Sequence, residues 1–308
     1  MPPSISHEGY SDKPACSYWD DFWSLRGYKD AVLIARALGH DDEATQWTNW
    51  RDEFAREFAA SIEAAGAQHA IDYIPGAADR GDFDPTSTTI GFNPVQAQDL
   101  LPAARVTATF ERYWREAERR AQSNRGWKDY TPYELRNVSA LVRLGQSERA
   151  HALLRFFFDD QRPRGWNQWA EVVRAQVRET QFLGDMPHAW VASDYIRAAL
   201  DLFAYEREQD QELVLAAGVP LGWLEGQGVE VQGLSTRYGL LSYRLATSQS
   251  GWTLEVGPGL ARLPGELRLV WPGAGPLPKA TLDGRELAWI DRELRIPAAP
   301  ATVRLARP

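Results

Sequence analysis

The chain has 308 residues, a net charge of −8 and 44% hydrophobic residues, which suffices for the core of one large domain or two ordinary ones. The acidic balance argues against a nucleic-acid partner, because nucleic acid favours a basic face. The single cysteine, Cys16, excludes an internal disulfide framework and a cysteine-built metal site.

Neither a membrane span nor a secretory leader is predicted. No apolar run is long enough to cross a bilayer, and residues 1–8 lack the basic and apolar regions of a signal peptide. We therefore expect a soluble chain with no targeting signal of its own and no membrane insertion.

The first part of the chain is predicted to be helical. Apolar residues recur at spacings of three and four from Asp21 to Leu38, and Gly39 ends the run. The pattern predicts further helices at about 42–65, 100–122, 131–144, 147–158 and 189–206. Leu-Gly closes a helix at Gly39 and again at Gly145, and an acidic or serine cap opens the next helix each time. This repetition is typical of antiparallel αα-hairpins.

The composition changes near residue 210. Residues 210–308 hold 13 of the 24 glycines and carry ten acidic and ten basic residues, so the net charge belongs to residues 1–209. Residues 251–256 alternate apolar and polar side chains, and Asp283-Gly284 predicts a hairpin turn. We predict a helical domain over 1–209 and a small antiparallel β-sandwich over 210–308. Sugar binding is a minor expectation for the second domain, which holds Trp223, Trp252, Trp271 and Trp289.

Three segments combine carboxylates with tryptophans at or just before predicted helix starts. They are residues 17–27, 164–171 and 184–194. A helical scaffold needs no tryptophan in such loops, but a sugar site does. Flat aromatic faces match the C–H faces of pyranose rings, while carboxylates and amides bond the hydroxyl groups.

Structural interpretations compete with the functional ones. Either Asp20 or Asp21 could cap the helix that follows, and residues 185–187 also suit a helix start. Thr131 and Glu134 fit a capping box, which favours a structural Glu134 over a catalytic one. His188 could be a satisfied core histidine. Three tryptophans at helical spacing are expected in the core: Trp47, Trp50 and Trp114.

Other reaction classes have less support. The chain has no Gly-x-Ser-x-Gly nucleophile elbow and no activating signature near Cys16. It also has no His-x-x-x-His pair and no phosphate-binding Gly-x-x-x-x-Gly-Lys loop. Residues 79–85 resemble a calcium loop only superficially, because the glutamate at the twelfth position is missing. We expect no metal and no cofactor.

The three tryptophan segments resemble the six-hairpin glycosidase superfamily, and in particular the toroid region of large bacterial proteins of that kind. The resemblance covers most of residues 8–245 and rests on residues 18–31, 166–171 and 184–197. It implies an (α/α)6 toroid whose inner helices begin around a sugar-binding cavity. It also implies acid–base cleavage of a glycosidic bond in an oligo- or polysaccharide, usually with inversion. Relatives of this kind are commonly exported, so the compartment stays open.

The resemblance assigns roles to particular residues. Asp20 or Asp21 is the expected general acid, Glu171 is the leading candidate for the base, and Glu134 stands behind it, although the two parts could be exchanged. The residues expected to line the substrate subsites are Trp19, Trp23, Arg26, Trp166, Asn167, Trp169, Asp185, His188 and Trp190.

The resemblance is incomplete, because a full toroid needs about twice the helices that residues 1–209 provide. We expect a whole or partial toroid-like domain, with an N-terminal remainder of the same toroid as an expected partner. Two alternatives remain. One is a non-catalytic carbohydrate-binding or interaction module. The other is a toroidal polysaccharide lyase, which needs tyrosine and histidine near a uronate and which the acidic helical part disfavours.

Overall fold

The computed structural model describes residues 1–6, 12–122, 128–176, 186–261, 265–273 and 275–307. The chain divides into two compact units. The helical unit comprises residues 1–140 and 155–194, and the sheet unit comprises residues 141–154 and 195–308. The predicted boundary between residues 209 and 210 stays a prediction. None of the described helices is long and apolar enough to span a membrane.

A helical part followed by mainly antiparallel sheets is what the sequence predicts. The α-helices of the described residues are α1 (Tyr18–Leu38), α2 (Asp41–His69), α3 (Pro85–Thr88), α4 (Ala103–Gln122), α5 (Arg136–Arg143), α6 (Ser147–Asp159) and α7 (Ala189–Phe203). As predicted, α1 ends at Gly39, whose φ of 75° is left-handed and whose N–H bonds the last turn. Gly145 has a φ of 72° just beyond α5.

The starts of two helices differ from the predicted caps. Asp41 and Ser147 are the first helical residues of α2 and α6, so they lie in the first turn and not at the cap. The residue that caps α2 is His40, and its side chain makes no capping bond. A carboxylate in the first turn still stabilises α2, because it faces the positive end of the helix dipole.

Aromatic side chains hold α1 against α2. The rings of Phe22 and Phe58 pack edge to face with their centroids 4.9 Å apart, and both are buried. The prediction that three helical tryptophans lie in the core is wrong for Trp50, which is 47% exposed. Trp47 and Trp114 are half-buried. Helical spacing alone places a residue on a face of the helix but does not say which face is covered.

The predicted helix over 189–206 is too long. It ends at Phe203, and strand β3 (Ala204–Arg207) follows directly. These residues pair antiparallel with β4 (Glu212–Leu215), so tertiary pairing overrides the helical propensity of the segment.

The sheet unit contains two sheets. The further strands are β5 (Val229–Thr236), β6 (Gly239–Ser248), β7 (Gly251–Val256), β8 (Leu267–Val270), β9 (Lys279–Leu282), β10 (Arg285–Leu287), β11 (Trp289–Ile290), β12 (Glu293–Ile296) and β13 (Ala301–Ala306). One sheet has the order β10-β9-β13-β7-β6-β5 and the other β11-β12-β8-β4-β3. A two-stranded sheet in the helical unit pairs β1 (Asp129–Tyr130) with β2 (Val173–Arg174).

The predicted sandwich is not purely antiparallel. Strands β4 and β8 pair in parallel, because the chain between them crosses to the other sheet and returns in the same direction. Both sheets contribute to one core, with Leu254, Leu269 and Val303 fully buried. The predicted hairpin at Asp283-Gly284 joins β9 to β10, with φ values of 50° and 78° at the two turn residues.

Candidate functional site

The two adjacent aspartates of the first motif lie in the first turn of α1. The residue that caps α1 is Ser17, so the capping interpretation of Asp20 and Asp21 is wrong. The Asp20 carboxylate accepts hydrogen bonds from the hydroxyl groups of Ser4 at 2.5 Å and Ser6 at 3.3 Å. The half-buried Asp20 is therefore held by neighbouring hydroxyl groups.

Asp21 has a different environment from Asp20. It is only 8% exposed, and its Oδ1 lies 2.7 Å from the amine of Met1. Burial, with a smaller contribution from the charge of Asp20, raises the pKa of the Asp21 carboxyl above its ordinary value. Asp21 is thus the better suited of the two to hold a proton.

The tryptophans of the first motif contact each other. The rings of Trp19 and Trp23 meet edge to face, with centroids 5.9 Å apart. Trp19 is buried, whereas Trp23 is 38% exposed. The Cζ atom of Arg136, at the start of α5, lies 5.0 Å from the Trp19 ring. Trp19 therefore links the first motif to an arginine that the sequence analysis did not single out.

Arg136 joins the first motif to the third. Its Cζ atom lies 4.4 Å from the ring of Tyr133 and 6.0 Å from that of Trp190. Its Nε donates to Asp194 at 2.7 Å, and both side chains are buried. We call Trp19, Trp23, Tyr133, Arg136, His188 and Trp190 the Arg136 cluster.

His188 connects to this cluster through Tyr133. Its Nδ1 accepts the backbone N–H of Val191 at 3.4 Å, so the neutral ring carries its proton on Nε2. That Nε2 lies 3.4 Å from the Tyr133 hydroxyl, and the Tyr133 ring meets Trp190 edge to face at 5.8 Å. His188 thus contacts Tyr133 from the position just before α7.

The second motif is split between surface and core. Trp166 is 62% exposed, whereas Trp169 is buried and donates its indole N–H to the Phe157 carbonyl oxygen at 2.9 Å. Asn167 adopts a left-handed φ of 52°, as expected in a turn. Glu171 is half-buried, and its backbone carbonyl oxygen accepts from the hydroxyl of a threonine at 2.7 Å. The Trp169 backbone carbonyl oxygen accepts the backbone N–H of the third motif's histidine at 3.2 Å.

Glu134 is engaged in a buried ion pair. Its carboxylate accepts from both Nη atoms of Arg120, at 2.8 Å and 2.5 Å, and from the Tyr113 hydroxyl at 2.8 Å. Burial lowers the pKa of Arg120, but the Glu134 charge outweighs it and leaves that pKa raised. The Thr131 hydroxyl accepts the N–H of Tyr133 at 3.2 Å, so it caps the short helical turn Pro132–Leu135. These contacts favour the structural interpretation of Glu134.

Two other predicted residues have separate outcomes. The guanidinium of Arg26 pairs with Asp30 one turn along α1, so it acts within its own helix. Asp185 lies outside the described residues.

The sheet unit contains a cavity that the sequence analysis did not predict. It has a volume of about 630 Å³, and Arg143, Arg207, Arg292 and Glu293 are among its lining residues. Arg207 pairs with Glu293 at 2.7 Å, Arg143 pairs with Asp201 at 2.8 Å, and Arg292 donates to two glycine carbonyl oxygens. Because the guanidinium groups already have acceptors, the cavity offers an incoming ligand few open donors.

Comparison with known proteins gives a distant likeness among solved structures. No protein-family model matches the chain, and no curated protein matches it. Among solved structures, the chain is similar to an α-L-rhamnosidase from Dictyoglumus thermophilum, with 12% sequence identity and a TM-score of 0.48. The match covers 90% of this chain and 30% of the rhamnosidase chain, so this chain spans less than a third of that enzyme.

Proposed function

We propose that the Arg136 cluster binds a carbohydrate and that this chain is a glycoside hydrolase, or the distal portion of one, with Asp21 as general acid. The observation that carries the proposal is the buried Asp21, which is adjacent to Phe22 and two residues after Trp19 in the first motif. Burial raises its pKa, and a general acid must keep its proton near the working pH. Protonation of the leaving oxygen is the task such a carboxyl performs.

Exposed aromatic faces support the proposal that the ligand is a carbohydrate. Trp23 is 38% exposed and Trp190 is 49% exposed, and both belong to the cluster. A flat aromatic face packs against the C–H face of a sugar ring, and the polar groups beside it fix the orientation of the sugar. Trp166, which is 62% exposed, is the candidate for a more distant subsite.

The second half of the mechanism is the base. An inverting enzyme needs a second carboxylate that activates water, about 6.5–9.5 Å from the acid. We assign this role to Glu171, which is half-buried, because Glu134 is engaged by Arg120 and Tyr113. The αα-hairpin of α1 and α2 is consistent with a six-hairpin glycosidase toroid, whole or partial, which is part of the same proposal.

The test is kinetic. In Asp21→Asn and Glu171→Gln, hydrolysis of a glycan panel, with the anomers of the products followed by NMR, is expected to fall about 10²–10⁴-fold with circular dichroism unchanged. Asp20→Asn is the matched control, because Asp20 lies in the same turn but is bonded to two hydroxyl groups. Near-normal turnover in both site variants would contradict the assignment.

A second candidate is a carbohydrate-binding module without catalysis. Asp21 has the raised pKa of an acid, whereas Glu171 is assigned as the base from the sequence resemblance and its partial burial. This candidate predicts glycan binding without turnover. Trp190→Ala should weaken binding at least tenfold, while Trp50→Ala, which removes a tryptophan of similar exposure from α2, should not.

A further inference from the structure

Arg136 is a buried cation, and the described residues leave most of its donors without an acceptor. It is 5% exposed, and a guanidinium carries five N–H donors in a planar fork. Within the described ranges, only the Nε donor is engaged, by Asp194 at 2.7 Å. Nη1 and Nη2 are both buried and have no hydrogen-bond acceptor in the part of the chain that the structure describes. Native proteins rarely leave such groups unmatched without a reason.

The aromatic neighbours do not supply an acceptor. The rings of Trp19, Tyr133 and Trp190 lie 4.4–6.0 Å from Cζ and attract the cation through their faces. An aromatic face does not replace the two in-plane acceptors that the Nη atoms require. The aromatic rings therefore stabilise the charge of the guanidinium, but they leave its Nη atoms without hydrogen-bond acceptors.

A second arginine on the same helix shows what completion looks like. The Nε and Nη2 of Arg143 donate to the two oxygens of Asp201, at 2.8 Å and 3.3 Å. Its Nη1 donates to the Glu206 carbonyl oxygen at 3.3 Å. Every nitrogen of Arg143 donates a hydrogen bond. An arginine–aspartate pair between α5 and α7 can therefore form without leaving any arginine nitrogen unmatched.

We propose that the Nη1–Nη2 edge of Arg136 binds a carboxylate of the ligand, so that the carbohydrate of the proposed site is an acidic glycan containing uronic acid. This inference rests on the proposed function and specifies its substrate class. A carboxylate matches the planar fork with two parallel N–H···O bonds and satisfies both open atoms together, whereas a sugar hydroxyl group satisfies one at a time.

Trp190 is the residue that must move. Its ring lies over the guanidinium and is 49% exposed, so a rotation of its side chain gives the ligand access to the Nη atoms. Trp19 and Tyr133 are buried and stay in place as the walls of the site. Binding should therefore change the tryptophan fluorescence of the protein.

The test measures binding by isothermal titration calorimetry on the full chain. The probes are oligoglucuronate and oligogalacturonate, their neutral glucose and galactose counterparts, and sulfated forms of the neutral oligosaccharides. We expect at least one uronate to bind tenfold or more tightly than its neutral counterpart and than its sulfated form. A preference for the sulfated form, or equal affinity for acidic and neutral probes, overturns the inference.

Arg136→Lys is the decisive variant. Lysine keeps the charge beside Asp194 but cannot form the bidentate fork, so the tenfold preference for the uronate should disappear. Arg143→Lys, the matched control, should keep it. A second readout is independent of turnover: the uronate should raise the urea midpoint of the native chain but not that of Arg136→Lys. Unchanged preference in Arg136→Lys overturns the inference.

The outcomes separate this inference from the proposed function. Binding or hydrolysis of neutral glycans without an acidic preference overturns the acidic ligand and leaves the hydrolase. An unsaturated uronate product, seen by its ultraviolet absorbance, supports the acidic ligand and overturns the hydrolase in favour of elimination. Binding of no glycan counts against both.

Discussion

Two arginine–aspartate pairs, one in each unit, begin from the same sequence spacing and end differently. Arg136 and Arg143 lie about two helical turns apart on α5, and Asp194 and Asp201 lie equally far apart on α7. The arginine side chains are both 4% exposed. Yet Arg143 uses every nitrogen, whereas Arg136 uses one among the residues that the structure describes.

The surroundings of each pair explain the difference. The sheet unit supplies further acceptors, as it also does for Arg207, which pairs with Glu212 and Glu293. The helical unit surrounds its guanidinium with aromatic rings instead. Where a protein completes a buried polar network, the network specifies and stabilises the fold. The donors that the helical unit leaves open are those that we propose a ligand satisfies.

The largest expected effect on stability comes from single substitutions that break one arginine–aspartate pair at a time. Arg143→Met removes the cation that pairs with the buried Asp201 and should lower the free energy of unfolding by about 3–5 kcal/mol. Arg136→Met likewise removes the cation beside Asp194, but it also removes unmatched donors, so its loss should be about 1–3 kcal/mol smaller. Urea unfolding followed by circular dichroism measures both variants. Equal losses would show that the open Nη atoms carry no cost.

Replacing each pair as a whole should give a smaller and opposite result. Arg136→Met with Asp194→Leu removes a buried ion pair that is incompletely bonded, and is expected to stabilise the chain by about 1–4 kcal/mol. Arg143→Met with Asp201→Leu forfeits a complete network and should be neutral or destabilising. Thermal unfolding of the two double variants provides the comparison. If replacing the Arg143 pair stabilised the chain more than replacing the Arg136 pair, the distinction between the two pairs would be contradicted.

The smallest effect concerns Asp21 and pH. Because burial raises the pKa of its carboxyl in the folded chain, the folded state binds the proton more tightly than the unfolded state does. Its contribution to stability is full below the ordinary aspartate pKa and is lost as the pH rises through the folded value. Asp21→Asn removes this dependence, so the variant should gain relative to wild type as the pH rises. If the difference in unfolding free energy between wild type and Asp21→Asn stayed constant across acid pH, the raised pKa of Asp21 would be contradicted.

Local signals predicted much of the fold. Gly39 ended α1 because glycine accepts the left-handed φ that closes a helix, and Asp283-Gly284 formed the hairpin because both residues accept positive φ. The helix predicted through residue 206 failed because β3 finds a partner strand, which no local pattern reveals. The parallel pairing of β4 with β8 likewise depends on residues distant in sequence.

The candidate site was only partly predictable. Trp19, His188 and Trp190 were named from their unusual positions, and the structure brings them to one cluster. Arg136 was missed because an arginine within a helix carries no local signal of burial. Tyr133 lay inside the Thr131 motif, where only Glu134 was considered. The catalytic roles of Asp21 and Glu171 remain predictions.

The tryptophans of the sheet unit give it an optical signature. Trp271 lies between Trp252 and Trp289, with ring centroids 4.9 Å and 6.2 Å away. Indoles this close couple their electronic transitions, so the three should produce an exciton band in the circular dichroism spectrum. Trp271→Phe, which removes the central chromophore, should abolish that band. The difference between the spectra of the wild type and Trp271→Phe would then report the folding of this unit by itself.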